Sequence, residues 1–163
     1  MARGYARGTR LPWHRPVAFR DPNGCFVPPA VSLRALPGDY VIARFPAGTD
    51  TGSLLPDLLR SAGLVSVTRT DREVSIVCDA ALAPPGAEVD GEWRALYADG
   101  AIPFGLTGVV ASLVDPLAAI GCPVFVVSTF DGDVLMTPGD RHADAVGALR
   151  AAGHTIAAAT DHG

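Results

Sequence analysis

Two turn signals, each between a strand-like run and an apolar return, restrict the fold of this chain more than anything else in it. In the stronger one, residues 124–127 are β-branched and aromatic, Asp131-Gly132 are types that tolerate the positive φ of a tight hairpin, and Val134, Leu135 and Met136 return as a second strand. In the weaker one, residues 64–70 lead to a turn at Asp71-Arg72 and back through 73–78. Each hairpin follows a strand and a helix. The first series runs from a strand at 39–45 to a short helix opening at Ser53, with Leu54, Leu55, Leu58 and Leu59 along one side and Gly63 at its end. Pro56 is tolerable there because it falls in the first turn.

The second series runs from a strand at 93–97 to a helix at 107–120 whose apolar positions, Val109, Val110, Leu113, Val114, Leu117 and Ile120, form one buried face. Pro116 inside it predicts a kink or an early end. A further helix at 140–152 and a strand at 155–159 complete a β-α-β-β-α-β unit, whereas the first series stops after its hairpin or finishes in the Pro-rich stretch beyond it. The pattern predicts an α+β protein of two ferredoxin-like units side by side, the first incomplete. The expected divisions are a disordered basic arm at 1–35, a first unit at 36–83, a linker at 84–92 and a second unit at 93–159. Placing turn on turn sets Glu73 on Asp133, Thr70 on Phe130, Arg69 on Thr129 and Thr68 on Ser128.

Composition enters where it excludes functions. At 163 residues and 48% hydrophobic, the chain has material for a core without staples. Cys25, Cys78 and Cys122 lie far apart and read as buried reduced thiols, and the four histidines lack the pairing of zinc ligands, so no metal or cofactor is expected. No apolar run approaches the ~20 residues of a membrane span and no leader-like apolar segment follows the first arginines, so no membrane contact and a cytoplasmic location are expected. Residues 1–35 hold six arginines and one aspartate, a net +5, against −9 for the remainder. Without aromatic and basic periodicity the arm reads as an extension, and no nucleic-acid partner is expected. Pairing His154 with Asp144, or His142 with Asp140, provides no catalytic constellation, and no phosphate loop accompanies them, which argues against an enzyme.

The candidate site lies where the second hairpin meets the helix opening. Gly105, Leu106, Thr107, Gly108 and Val109 break a strand and start a helix, whose unpaired N–H groups carry partial positive charge. Ser128, Thr129, Phe130, Asp131 and Asp133 form the hairpin end, with Asp133 as its carboxylate. A helix start facing a carboxylate can hold a zwitterion, the α-carboxylate on the N–H groups and the α-ammonium on Asp133. The plain alternatives are Thr107 as an N-cap, Asp133 as an exposed turn residue and Phe130 as core. Trp93 and Tyr97, alternating around Ala95, read as interface or core.

An ordered series of segments resembles the small bacterial tandem ACT-domain proteins, related to the ACT modules of the animal cytosolic arginine sensor. It comprises Leu36-Pro37-Gly38-Asp39-Tyr40, Ser66-Val67-Thr68-Arg69-Thr70, Trp93-Arg94-Ala95-Leu96, Leu106-Thr107-Gly108-Val109, Val127-Ser128-Thr129-Phe130-Asp131-Gly132-Asp133 and Ala148-Leu149-Arg150-Ala151-Ala152-Gly153-His154. The resemblance implies a regulatory or sensing protein that binds a free amino acid between ACT units, without catalysis, and so a regulated protein partner. A homodimer through the sheets or helices is expected from the hydrophobic content and from strands such as 93–97, which so small a domain is expected to leave uncovered on one face. No acidic residue stands beside Thr107 and Gly108 to hold a guanidinium, a departure that argues against arginine as the ligand. The other reading is a ligand-free interaction module that dimerises through its sheets.

Overall fold

The computed structural model describes residues 22–24, 29–98 and 106–159. Its elements are β1 (Ser32–Ala35), β2 (Tyr40–Pro46), α1 (Leu55–Leu58), β3 (Ser66–Arg69), β4 (Glu73–Asp79), β5 (Glu88–Ala98), α2 (Val109–Ala119), β6 (Phe125–Ser128), β7 (Asp133–Pro138), α3 (His142–Ala151) and β8 (Thr155–Ala157). Single 3-10 turns follow β4 (Ala80–Leu82) and β7 (Gly139–Arg141).

β5 organises the molecule. Its first half pairs with β2; its second half pairs with β1 along the same edge and with β7 along the other, because Leu96 faces both Ala35 and Leu135. The changeover is a bulge: Tyr40 faces Trp93 while Ile42 faces Asp90, so β5 uses three residues where β2 uses two. Glu92 takes φ 63° within it. Gly139 is packed against that bend, where a Cβ would lie 2.9 Å from the Glu92 carbonyl oxygen.

Two ferredoxin-like units share this strand. The first has the order β5-β2-β4-β3, with the Ala80–Leu82 turn in the place of a second helix, so it is the reduced one. The second has β8, β5, β7 and β6 in the ferredoxin order, with β1 inserted between β8 and β5. β5 therefore begins at Glu88, five residues before the strand expected at Trp93, and much of the expected linker is strand.

Strand alternation explains the layers. Val41, Ala43, Phe45, Val74, Ile76 and Cys78 pack on one side of the first sheet with Leu58 of α1. Leu96, Ala98 and Leu135 pack on α2 and α3 through Leu113, Leu117 and Leu149. On the opposite face of the same eight-stranded sheet, Tyr40, Val77, Trp93, Ala95, Val134 and Met136 make a third core. Trp93 and Ala95 are thus covered within one chain, which removes the uncovered face as a reason for dimerisation.

The expected disordered arm needs correction at its end. Val31 and Leu33 are 8% and 2% exposed and lie in the α2–α3 core, and β1 is hydrogen-bonded on both edges. Burying two such side chains contributes about 3–6 kcal/mol as an upper bound, comparable to the ~5–15 kcal/mol net stability of a domain. Residues 29–35 are part of the fold, while 1–21 and 25–28 lie outside the described residues.

Pro116 neither ends nor divides α2. Having no N–H, it leaves the Ser112 carbonyl without its helical donor. The buried His154 Nε2 lies 2.9 Å from that oxygen, and its Nδ1 accepts the Val31 N–H at 3.1 Å. The second bond fixes the proton on Nε2, so the imidazole donates to Ser112. His154 is a core cross-link between α2, the end of α3 and the approach to β1, and forms no pair with Asp144.

Candidate functional site

A cleft of about 440 Å³ is lined by Leu106, Gly108, Val109, Val110, Ala111, Ser128, Thr129, Phe130, Gly132 and Asp133. Seven of the ten residues expected from sequence line it. Thr107 and Asp131 are exposed and do not line it, and Gly105 lies outside the described residues. Val110, Ala111 and Gly132 were missed.

Local geometry explains these differences. Gly108 adopts φ 84°, a conformation that favours glycine, and occupies the N-cap position with no side-chain hydrogen bond. Thr107 is therefore not the cap. α2 starts at Val109, so the N–H groups of Val109, Val110 and Ala111 have no intrahelical partner and fall in the cleft wall. Ser112, the next residue, has its amide bonded to the Gly108 carbonyl and its hydroxyl to the Val109 carbonyl.

The hairpin closes by a threonine clasp. Thr129 N–H donates to the Gly132 carbonyl at 2.7 Å, Thr129 Oγ1 donates to the same oxygen at 2.9 Å, and Gly132 N–H lies 3.2 Å from Thr129 Oγ1. Asp131-Gly132 is not a positive-φ pair. Gly132 is favoured by proximity, since a Cβ would sit 3.1 Å from the Ala98 carbonyl oxygen and press on it. Thr70 and Glu73 form the same clasp in the first hairpin. The matching residues are thus Thr70 with Thr129 and Glu73 with Gly132, one position away from the superposition expected from turn types.

Ser128 and Asp133 face each other at the strand ends, and the Ser128 hydroxyl donates to Asp133 Oδ1 at 2.6 Å. The register-equivalent pair in the first unit is Arg69 and Val74. There the guanidinium crosses to the loop before α1 and donates to the Thr49 carbonyl at 2.9 Å. All the cleft residues belong to the second unit. A larger depression of about 550 Å³ has Arg44, Arg72, Glu73 and Glu88 in its wall, with Arg44 and Glu88 already ion-paired.

Among the described residues no three His, Cys, Asp or Glu side chains gather as a metal site, and no helix is long and apolar enough to cross a membrane. His142 bonds Thr137 at 3.0 Å, and burial, aided by the Arg94 charge, lowers its pKa.

Residues 88–151, which hold β5, α2, the β6–β7 hairpin and α3, match the ACT domain family. The chain belongs to the family of the Agobacterium tumefaciens protein Atu0741. The two are 37% identical, with a TM-score of 0.73 over 83% of this chain and 98% of that one. A Vibrio cholerae protein of unknown function, described as a possible transport protein, is 19% identical with a TM-score of 0.57 over 76% of this chain and 90% of that one. The regulatory subunit of aspartate kinase from Thermus flavus is 11% identical with a TM-score of 0.56 over 76% and 99%. These last two share the fold. No curated protein matches the chain.

Proposed function

We propose that this protein is a non-catalytic regulatory or sensor protein that binds a free amino acid in the cleft between α2 and the β6–β7 hairpin. The observation that carries this reading is the meeting, in one cleft, of the Asp133 carboxylate with the unbonded first turn of an 11-residue helix. The N–H groups of Val109, Val110 and Ala111 take the α-carboxylate, and Gly108 lets it approach the backbone. Asp133, oriented by Ser128, takes the α-ammonium. The ACT match and the likeness to an aspartate kinase regulatory subunit support a regulatory role. The first unit is read as a second, reduced ACT-type module, and kinship to the animal arginine sensor rests on the sequence segments alone. A regulated protein partner belongs to the same proposal, and any contribution from another unit to the cleft comes from a second copy.

The test is a thermal-shift screen of the proteinogenic amino acids, with mass spectrometry of small molecules released from freshly purified protein. A ligand at 100 times Kd adds about 2.7 kcal/mol, or ~5–11 °C for a chain of this size. Asp133→Ala is expected to remove the shift and leave the unliganded melt nearly unchanged. If no amino acid shifts the melt and none co-purifies, the reading fails. A second reading, a ligand-free module that dimerises through its sheets, is favoured by β3, β6 and β8, each paired along one edge only among the described strands. Sedimentation that shows only monomer at every concentration removes it.

A further inference from the structure

The chemistry of the cleft wall narrows the ligand beyond the amino-acid class. Resting on the amino-acid reading of this cleft, we infer that the ligand's side chain is uncharged and apolar. Among the described residues, Asp133 is the one charged side chain in the lining, and no arginine or histidine lines the cleft with it. With Asp133 holding the α-ammonium, a lysine or arginine side chain finds no second carboxylate among the described lining residues. An aspartate or glutamate side chain meets Asp133 with no cation between them. Polar uncharged side chains that accept hydrogen bonds fare little better, because the protons of the wall's hydroxyls are already donated. Ser128 donates to Asp133 Oδ1, and Thr129 Oγ1 is held in the clasp with Gly132.

The rest of the wall is apolar. Phe130 is 71% exposed and Val110 41% exposed, with Leu106 and Val109 beside them. Large apolar groups at the mouth of a cleft gain most from an apolar occupant, which removes surface from water on both partners. Selection among side chains thus comes from these walls, and Asp133 with the helix start recognises what all α-amino acids share.

The experiment is isothermal titration of the full chain with leucine, isoleucine, valine, methionine and phenylalanine, against aspartate, glutamate, lysine, arginine, serine and glutamine. The apolar group is expected to bind at least roughly tenfold more tightly than any of the others, the discrimination expected for covering one aliphatic side chain. Phe130→Ser is expected to weaken that binding by a similar factor, with cooperative unfolding of the variant as the check that it still folds. Tighter binding of a charged or hydroxylated amino acid, abolished by Asp133→Ala, overturns the inference and leaves the site standing. Binding of an apolar amino acid that Phe130→Ser does not weaken also overturns it, since the wall then does not select. Absence of binding by every amino acid defeats both the inference and the reading beneath it.

Discussion

Replacing His154 by leucine removes one side chain and leaves two buried backbone groups without partners, the Val31 N–H and the Ser112 carbonyl. Each unpaired buried group costs about 1–3 kcal/mol, and leucine is close enough in size to keep the cavity contribution small. The expected loss for His154→Leu is therefore about 4 kcal/mol, or ~8–16 °C in Tm for a domain of this length. Pro116 makes the effect specific. Pro116→Ala restores an amide that can donate to the Ser112 carbonyl along α2, so in that background His154→Leu strands only the Val31 N–H. Its cost is expected to fall to about 1–3 kcal/mol, a coupling of roughly 1–3 kcal/mol between residues far apart in sequence. Urea unfolding of the wild type, both single variants and the double variant measures the cycle. A coupling below ~0.5 kcal/mol, within the range of independent sites, would refute the assignment of His154 as the donor that replaces the amide missing at Pro116.

A chain beginning at Leu36 loses β1 with Val31 and Leu33, and is expected to lose cooperative unfolding by circular dichroism, whereas a dispensable arm would leave the melt within a few degrees. Gly139→Ala places a Cβ 2.9 Å from the Glu92 carbonyl at the β5 bulge and is expected to cost about 1–3 kcal/mol in urea unfolding. Gly147→Ala, at an exposed position of α3 with no heavy atom within 4 Å of the new Cβ, is expected to gain ~1 kcal/mol; equal effects at the two positions would contradict close packing at Gly139. The pKa of His142 lies below its ordinary value of 6.5 in the fold. The unfolded chain therefore takes up that proton first, so the contribution is fully present above the unfolded pKa and lost as pH falls through it toward the folded value. Wild-type stability relative to His142→Gln is expected to decline as pH is lowered from about 7 to 5; parallel pH profiles would contradict it.

The elements were largely legible because the strands and helices carry clean periods, and the βαββαβ series of the second unit follows from them. Boundaries failed where a single residue's geometry decides. α2 starts at Val109 because Gly108 is left-handed, and that shift brings Val110 and Ala111 into the cleft wall. The hairpin alignment slipped by one because the turns are held by Thr70 and Thr129, not by the residue types that signal positive φ. β1 did leave a signal. Val31-Ser32-Leu33-Arg34-Ala35 alternates apolar and polar, but Arg34 and the surrounding prolines tied it to the basic arm. The burial of His154 was not readable, since nothing local indicates that Pro116, 38 residues earlier (154 − 116), leaves a carbonyl for it to bond.

The two units show why the same hairpin closes one loop and borders a cleft in the other. Both clasps fix the strand ends in the same way, so the difference lies in the pair just inside the clasp. Arg69 opposite Val74 offers a long donor and no carboxylate, and the arginine reaches Thr49 to tie the hairpin to the loop before a four-residue helix. Ser128 opposite Asp133 offers a short hydroxyl that holds one carboxylate oxygen and reaches no further. The space that a long side chain bridges in the first unit is bordered in the second by the first turn of α2, which 11 residues packed on the sheet hold in place. A small polar residue at 128 and an acid at 133 are therefore the local sequence features that set the second hairpin apart from the first.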